Sequence, residues 1–353
     1  NAWQPLGKVA YAGETLVVYV GHNTKRTGDN AELQLIMTQQ HAEANSFMKA
    51  SNLKVGRNEI TVPQIGSTNC ERGGQIYIAY TGNNVNDKYA VRVLGGSDIP
   101  VLSVYGKTGI ERTNAIKTYI TELESYVTTI ESKHNEIHKD SAKTVNYDYD
   151  RTNCILNATD IMMDQMMYSL PAEQALAGIK NASDKVAALD NALKGMEDTM
   201  QLFYHHKGLS NQEAAVKNSD TANVNRNALP SQHLNIRYMR MFAGAFMYAS
   251  GNHIGIEWGS TALTGTTAFG WGIAHEIGHD INQGTYAVAE VTNNYFAQLL
   301  TGKERYTYEN VYKKVTSGTV GRASNVFTQL ASYWQLHMAF DNNKDDQYMY
   351  ATY

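Results

Sequence analysis

Residues 275–279 read His275-Glu276-Ile277-Gly278-His279, inside the small and apolar run that opens at Gly270-Trp271-Gly272-Ile273-Ala274. On a helix, positions four apart stand one turn above each other on the same face. Two neutral imidazoles so placed can reach one ion at about 2.0–2.1 Å. Glu276 is too close to the first His to share that ion comfortably. It can instead face the attacking water as a general base, which is the chemistry of metal-assisted hydrolysis. Gly278 leaves room beside such a metal. The competing reading is a core helix with two satisfied histidines, and the small residues around the motif count against it.

A catalytic zinc has three protein ligands and keeps a fourth position open. In metzincins the third ligand is a His that follows a Gly; here those positions hold Asn282 and Thr285, which excludes that pattern. The alternative is a carboxylate on a following helix. Glu290 lies eleven residues after His279, beyond the turn residues Gln283-Gly284, and that is enough chain to reverse direction. Its flanks Val288 and Val291 argue against a solvated side chain. Asn294, four residues on and on the same helical face, can accept a hydrogen bond from the outer nitrogen of a liganding His and fix its tautomer. Tyr333, His253 and His337 are candidates for stabilising an oxyanion; the residues alone do not rank them. Ile254 to Trp258 reads either as an edge strand able to pair with a substrate backbone or as an ordinary sheet strand.

Two kinds of element must position these groups. Short strand patterns at 16–20, 33–38, 58–62, 76–80 and 89–94, split by Gly, Asn and Pro, predict an antiparallel sandwich at the start of the chain. Ile116, Tyr119, Ile120, Leu123 and Tyr126 then recur at helical spacing. A Met-rich apolar stretch from Ile155 to Met167 supplies adaptable core filler. Pro171 opens a helix over 172–202. Strands at 233–238 and 253–258 precede helices at 270–282, 287–300 and 324–340. The fold class is therefore α+β. A β-rich domain over 1–103 is followed by a catalytic domain over 104–353.

Composition excludes several other functions. The chain has 353 residues, with 30 Lys and Arg against 34 Asp and Glu, a net charge of -4. A protein held on nucleic acid through phosphates is expected to be basic, so no nucleic-acid partner is expected. No apolar run is long enough for a transmembrane helix. Two cysteines, Cys70 and Cys154, exclude a disulfide scaffold, and nothing in the sequence shows whether they pair. Asn146, Asp148 and Asp150 alternate like the first ligands of a calcium loop. Arg151 and Asn157 stand where that loop needs Gly and Glu, so calcium is not assigned. The start at Asn1, without a signal pattern, reads as a processed or trimmed piece.

The run HEIGHDINQ followed by EVTNN closely resembles the enhancin-like, mucin-degrading gluzincin peptidases, the M-sixty family. Tyr333-Trp334-Gln335-Leu336-His337 and the opening segment Gly13-Glu14-Thr15-Leu16-Val17-Val18 are also similar to it. The resemblance implies a thermolysin-like catalytic domain with a small sheet. It implies one zinc ion held by His275, His279 and Glu290, with Glu276 as the base. It further implies a secreted or cell-surface endopeptidase, part of a longer modular protein, that cuts O-glycosylated, mucin-type glycoproteins beside a glycan-bearing Ser or Thr. Two alternatives stand beside it: a glycan-binding or adhesive module with a structural or vestigial metal site, and a metallopeptidase indifferent to glycans.

Overall fold

The computed structural model describes residues 3–39, 48–65, 73–139, 148–206, 234–239, 246–251, 253–261, 263, 270–282 and 287–301. The expected helix over 324–340, and Cys70, Asn146, Tyr333 and His337, lie outside them. The first eight strands are β1 (Trp3–Tyr11), β2 (Thr15–His22), β3 (Asn30–Thr38), β4 (Met48–Lys54), β5 (Gly56–Thr61), β6 (Gly73–Tyr80), β7 (Tyr89–Leu94) and β8 (Ser97–Asp98). They form a five-stranded sheet in the order β4-β3-β6-β1-β8 and a three-stranded sheet in the order β5-β2-β7. Every pairing among them is antiparallel. Period-two alternation builds the sandwich. Leu16, Val18 and Val20 of β2 point inward against Leu33, Leu35 and Met37 of β3 and Ile76 and Ile78 of β6. β6 instead reads as a nearly continuous buried run, because its second face is also covered.

What covers that face is a third, six-stranded sheet. Its strands are β9 (Val101–Ser103), β10 (Thr159–Met162), β11 (Met166–Leu170), β12 (Leu234–Tyr238), β13 (Met247–Ser250) and β14 (His253–Ile256), in the order β13-β14-β12-β11-β10-β9. The Met-rich stretch becomes the antiparallel β10–β11 pair, flanked by parallel neighbours β9 and β12. Trp3, Ile36, Tyr77 and Ala79 pack on Met167 and Met239. A row of buried polar groups runs through the same layer. Asp160 Oδ1 accepts hydrogen bonds from Tyr77 Oη at 3.0 Å and Ser169 Oγ at 2.5 Å, and Arg237 Nη2 donates to Gln75 Oε1 at 3.3 Å.

Burial outweighs these hydrogen bonds and the Arg237 charge, and pushes the Asp160 carboxyl up to about 6 from 3.8. Folding then favours its protonated form. The stability this group contributes is full below its unfolded value and is lost as the pH rises from about 4 to about 6, an effect of about 3 kcal/mol. Chemical denaturation of wild type and Asp160→Asn at pH 4 and pH 7 checks this. The variant should gain about that much relative to wild type at the higher pH. A pH-independent difference would contradict the assignment.

Among the described residues the α-helices are α1 (Gly109–Val127), α2 (Ile130–His138), α3 (Ala172–Ile179), α4 (Lys185–His206), α5 (Trp271–Ile281) and α6 (Thr292–Thr301). α1 buries Ile116, Tyr119, Ile120, Leu123 and Tyr126, the five positions its spacing predicts. The single helix expected over 172–202 is two. Asp184 Oδ1 accepts the Ala187 N–H at 2.9 Å, so a fresh N-cap starts α4 where Asn181, Ser183 and Asp184 interrupt the apolar pattern. α2 and β4 were not anticipated, since both carry few apolar residues. Cys154 is buried, with its Sγ 3.6 Å from His134 Nδ1.

The architecture is α+β, with antiparallel sheets first and a region of sheet and helices after them. The chain forms two compact units. One comprises Asn1–Asn191, Gln232–Tyr248 and Gly255–Thr264; the other comprises Ala192–Ser231, Ala249–Ile254 and Gly265–Tyr353. α5 and α6 both belong to the second.

Candidate metal centre

α5 buries Ile273, Ala274, Ile277, Gly278 and Ile281. That stripe sets the rotation of the helix and leaves His275 and His279 side by side on a half-buried flank, with ring centroids 4.9 Å apart. Gly278 has a different use from the one expected. A Cβ there would lie 2.5 Å from the backbone oxygen of Asn293 and 2.7 Å from its Cα. The absent side chain makes room for the backbone of α6, which cannot give way as a flexible side chain could. Gly278→Ala is expected to push the two helices apart and cost about 1–3 kcal/mol, as overpacking does. Thermal unfolding of the variant checks this, and an unchanged midpoint would mean the helices tolerate a wider spacing.

Glu290 is not on a helix, contrary to the expectation from spacing. It sits in a turn ahead of α6, with φ +62°. The turn is closed by Val291 N–H to Val288 O at 3.0 Å and Thr292 N–H to Val288 O at 3.0 Å. Left-handed backbone costs a non-glycine residue roughly 1–2 kcal/mol, and such strain gathers at ligand clamps. The flanks also differ from expectation: Val291 is buried, but Val288 is exposed and the Glu290 side chain is 53% accessible. The turn brings the carboxylate over both histidines. Oε2 lies 3.1 Å from His275 Nε2, and Oε1 lies 3.3 Å from His279 Nε2.

His275 Nδ1 is 2.7 Å from Asn294 Oδ1, and Asn294 Nδ2 donates to the Glu290 carbonyl at 2.6 Å. The amide oxygen is therefore the end facing the ring, and Nδ1 carries the hydrogen. A neutral ring then has its lone pair on Nε2, aimed at a carboxylate oxygen that is also an acceptor. Burial, then the neighbouring His275, lowers the His279 pKa below its usual value despite the opposing pull of Glu290. Two imidazole nitrogens and one carboxylate that converge this way can hold a cation between them. The donor set, two imidazole nitrogens and a carboxylate oxygen, is one that zinc takes.

Glu276 stands beside this group. Its carboxylate and the ring nitrogens of His275 and His279 lie within 4.8 Å of one another. Two carboxylates thus approach the histidines, and Glu290 is the one touching both Nε2 atoms. Burial, more than the charge of Glu290, raises the Glu276 pKa, against the pull of His275 and the Ala249 N–H. One turn on, Asp280 has an oxygen buried without a hydrogen-bond partner. Burial first, then the Glu276 charge, pushes its carboxyl up to about 8.

Several site features escaped the sequence reading. Asp280 and Asn293 received no role, although both stand within or beside the motif. Ala249 lies on β13, which among the described residues stands at one end of its sheet, with β9 at the other. Of the two readings of Ile254 to Trp258, the ordinary sheet strand is the one found: Ile254 to Ile256 lie in interior β14, between β13 and β12, and Trp258 begins a 3-10 turn beyond it. His253 is buried within β14. The other two oxyanion candidates, Tyr333 and His337, lie outside the described residues.

The profile of the family described as peptidase M60, enhancin and enhancin-like, matches residues 157–352. The chain belongs to that family. Solved M60 structures share the fold. The M60 catalytic domain of ZmpC from Clostridium perfringens, solved with the sialyl T antigen, superposes with a TM-score of 0.68 at 21% identity, covering 97% of this chain and 63% of that one. The ZmpB M60 domain from the same organism, solved with two CBM51 domains, gives 0.69 at 22% identity over 97% of this chain and 34% of that one. A metallopeptidase in complex with the Tn antigen gives 0.59 at 16% identity over 98% and 58%. The chain thus spans less than two thirds of each of these structures. No protein of curated function matches it significantly. No described helix is long and apolar enough to cross a membrane.

Proposed function

We propose that this M60 chain is the catalytic part of a secreted or cell-surface zinc endopeptidase, and that it cuts O-glycosylated, mucin-type glycoproteins beside a glycan-bearing Ser or Thr. His275, His279 and Glu290 hold the zinc, and Glu276 is the base. The observation that carries the chemistry is the convergence of both Nε2 atoms on the two oxygens of Glu290, at 3.1 and 3.3 Å, with a second carboxylate beside them. The glycan requirement is supported by relatives solved with the sialyl T and Tn antigens. Placement in a longer modular protein is supported by the ZmpB relative with its CBM51 domains. The β-rich residues 1–103 are a supporting domain, and 104–353 carry the catalytic groups.

Held by His275, His279 and Glu290, a zinc ion would supply Lewis-acid polarisation of the scissile carbonyl and would make a water molecule more acidic. Glu276 takes the proton from the attacking water and passes it to the leaving amine. The Ala249 N–H steadies that carboxylate through the hydrogen bond that lowers its pKa. Asn294 holds His275 in the tautomer that leaves Nε2 facing the site.

The test is digestion of an O-glycosylated glycoprotein before and after O-glycosidase treatment, with and without chelator, and mass spectrometry of the new termini. New termini beside glycosylated Ser or Thr, lost on chelation and on deglycosylation, are expected. Equal cutting of the deglycosylated protein would leave a metallopeptidase indifferent to glycans. Glycan binding without any cutting would leave an adhesive module.

A further inference from the structure

The outward face of the three-stranded sheet β5-β2-β7 carries a cluster with chemistry of its own. β2 points Leu16, Val18 and Val20 into the sandwich core, so Val17, Tyr19 and Gly21 face the other way. Register sets Tyr19 opposite Arg57 of β5 on one side and Arg92 of β7 on the other. The neighbouring rows are Glu59, Val17 and Leu94 on one flank and Gly21 with Ala90 on the other. Tyr19 and Leu94 are each 42% exposed. Arg57 is held in place: its Nη2 lies 2.8 Å from Glu59 Oε2, and its guanidinium stands by the Tyr19 hydroxyl. The Arg92 side chain is exposed and enters no ion pair or hydrogen bond among the described residues. The face thus sets two guanidiniums against one carboxylate, around an accessible aromatic ring.

Resting on the glycoprotein reading above, we infer that this face is an accessory binding site for acidic sugars of the substrate's O-glycans, and that it takes a sialylated, carboxylate-bearing terminal unit. The ring of Tyr19 offers a rigid apolar plane on which a pyranose can lie, with a hydroxyl at its edge. Gly21 and Ala90 keep the surface low beside that ring: a Cβ on Gly21 would meet only atoms of Ala90, at 3.7 Å. Neighbouring strands stand about 4.8 Å apart, so the ring and Arg92 lie within the span of one sugar unit that carries a carboxylate. A guanidinium takes such a group through paired N–H bonds. Val17 and Leu94 supply an apolar step for an N-acetyl methyl. An acidic peptide would engage the guanidinium but gain nothing from the low floor beside the ring. The site belongs to the β-rich domain and takes no part in the hydrolysis.

Titration calorimetry of the full chain with sialyllactose and with lactose tests this, since neither probe has a peptide bond to cut. Wild type is expected to bind the sialylated sugar about tenfold or more tightly than lactose, the scale of a hydrogen bond to a charged group. Arg92→Glu should abolish that preference, and Tyr19→Ala should weaken binding about threefold to tenfold. Glu59→Gln keeps an acceptor for Arg57 and removes the opposing charge, so it should strengthen binding about twofold to fivefold. All three positions are exposed, and the unfolding midpoints should stay near wild type. Equal binding of the two sugars by wild type, or an unchanged preference in Arg92→Glu, would overturn the inference. Sulfated lactose bound as tightly as sialyllactose would mark a general anion patch and overturn it too. Reversible dimerisation of wild type that is lost in Tyr19→Ala would assign the face to a second copy instead. Cleavage of a short GalNAc-bearing glycopeptide is followed in parallel. If wild type does not cut it, the peptidase reading fails while the sugar titration still decides the face; if it is cut and the titration fails, only the accessory site is lost.

Discussion

Glu276→Gln is expected to lower turnover by about a hundredfold or more, within the range for loss of a positioned general base, while zinc stays bound. Glutamine keeps the side chain's length and can still accept the Ala249 N–H through its amide oxygen. What it lacks is a lone pair basic enough to take a proton from water. The geometry separates the two carboxylates at the site. Glu290 reaches both Nε2 atoms, whereas Glu276 stands to one side with its own backbone donor on β13. Removing charge from Glu276 also relieves a repulsion, since that charge helps raise the Asp280 carboxyl. The variant should therefore fold at least as stably as wild type. Parallel measurement of kcat, bound zinc and the unfolding midpoint checks all three consequences. A zinc-loaded Gln variant with undiminished turnover would assign water activation to another group, and one that has lost its zinc would place Glu276 among the ligands.

The reach of the sequence can be judged from particular residues. His275 and His279 were legible because helical period alone puts i and i+4 on one face, whatever the rest of the fold does. The strands of the sandwich were legible where one face is buried and one is wet, as in β2. β6 was recognised as apolar, but nothing local announces that its outer face meets a third sheet across Tyr77, Asp160 and Ser169. Those contacts join residues more than eighty positions apart. Glu290 was found by distance along the chain and yet placed on the wrong kind of element. Its left-handed backbone comes from the Val288–Thr292 turn, and a Glu has no local preference for that conformation. Gly278 shows the same limit. Its smallness was noticed, but the neighbour that requires it is the backbone of Asn293, fifteen residues later. Asn293 could have been suspected from the adjacent asparagines in EVTNN; that its amide nitrogen lies 3.1 and 3.0 Å from the two Nε2 atoms is a tertiary fact.

His275→Ala, His279→Ala and Glu290→Ala are each expected to weaken zinc binding by more than about a hundredfold, beyond the 10–100-fold typical of losing only an outer partner of a ligand. Two protein ligands rarely retain zinc, and each substitution leaves two. Glu290 is the sharper test, because a half-exposed carboxylate would ordinarily contribute little. Its worth here lies in spanning both Nε2 atoms from a turn already held in strained backbone, so the ion meets a carboxylate that needs little further ordering. Binding to the folded state alone adds stability of about 2.7 kcal/mol when free zinc is one hundred times the dissociation constant. Wild type should therefore melt at a higher temperature in zinc than in chelator. At that same zinc concentration the shift should nearly vanish in all three variants. Glu59→Ala is the control: that carboxylate is exposed on β5 and paired with Arg57 at 2.8 Å, away from the motif in sequence, and it should leave the shift intact. If Glu290→Ala keeps the full shift while both His variants lose it, the third ligand is another oxygen, with Glu276 the nearest alternative carboxylate. If all three keep it, the convergence of these side chains is an arrangement of hydrogen bonds and not a metal centre.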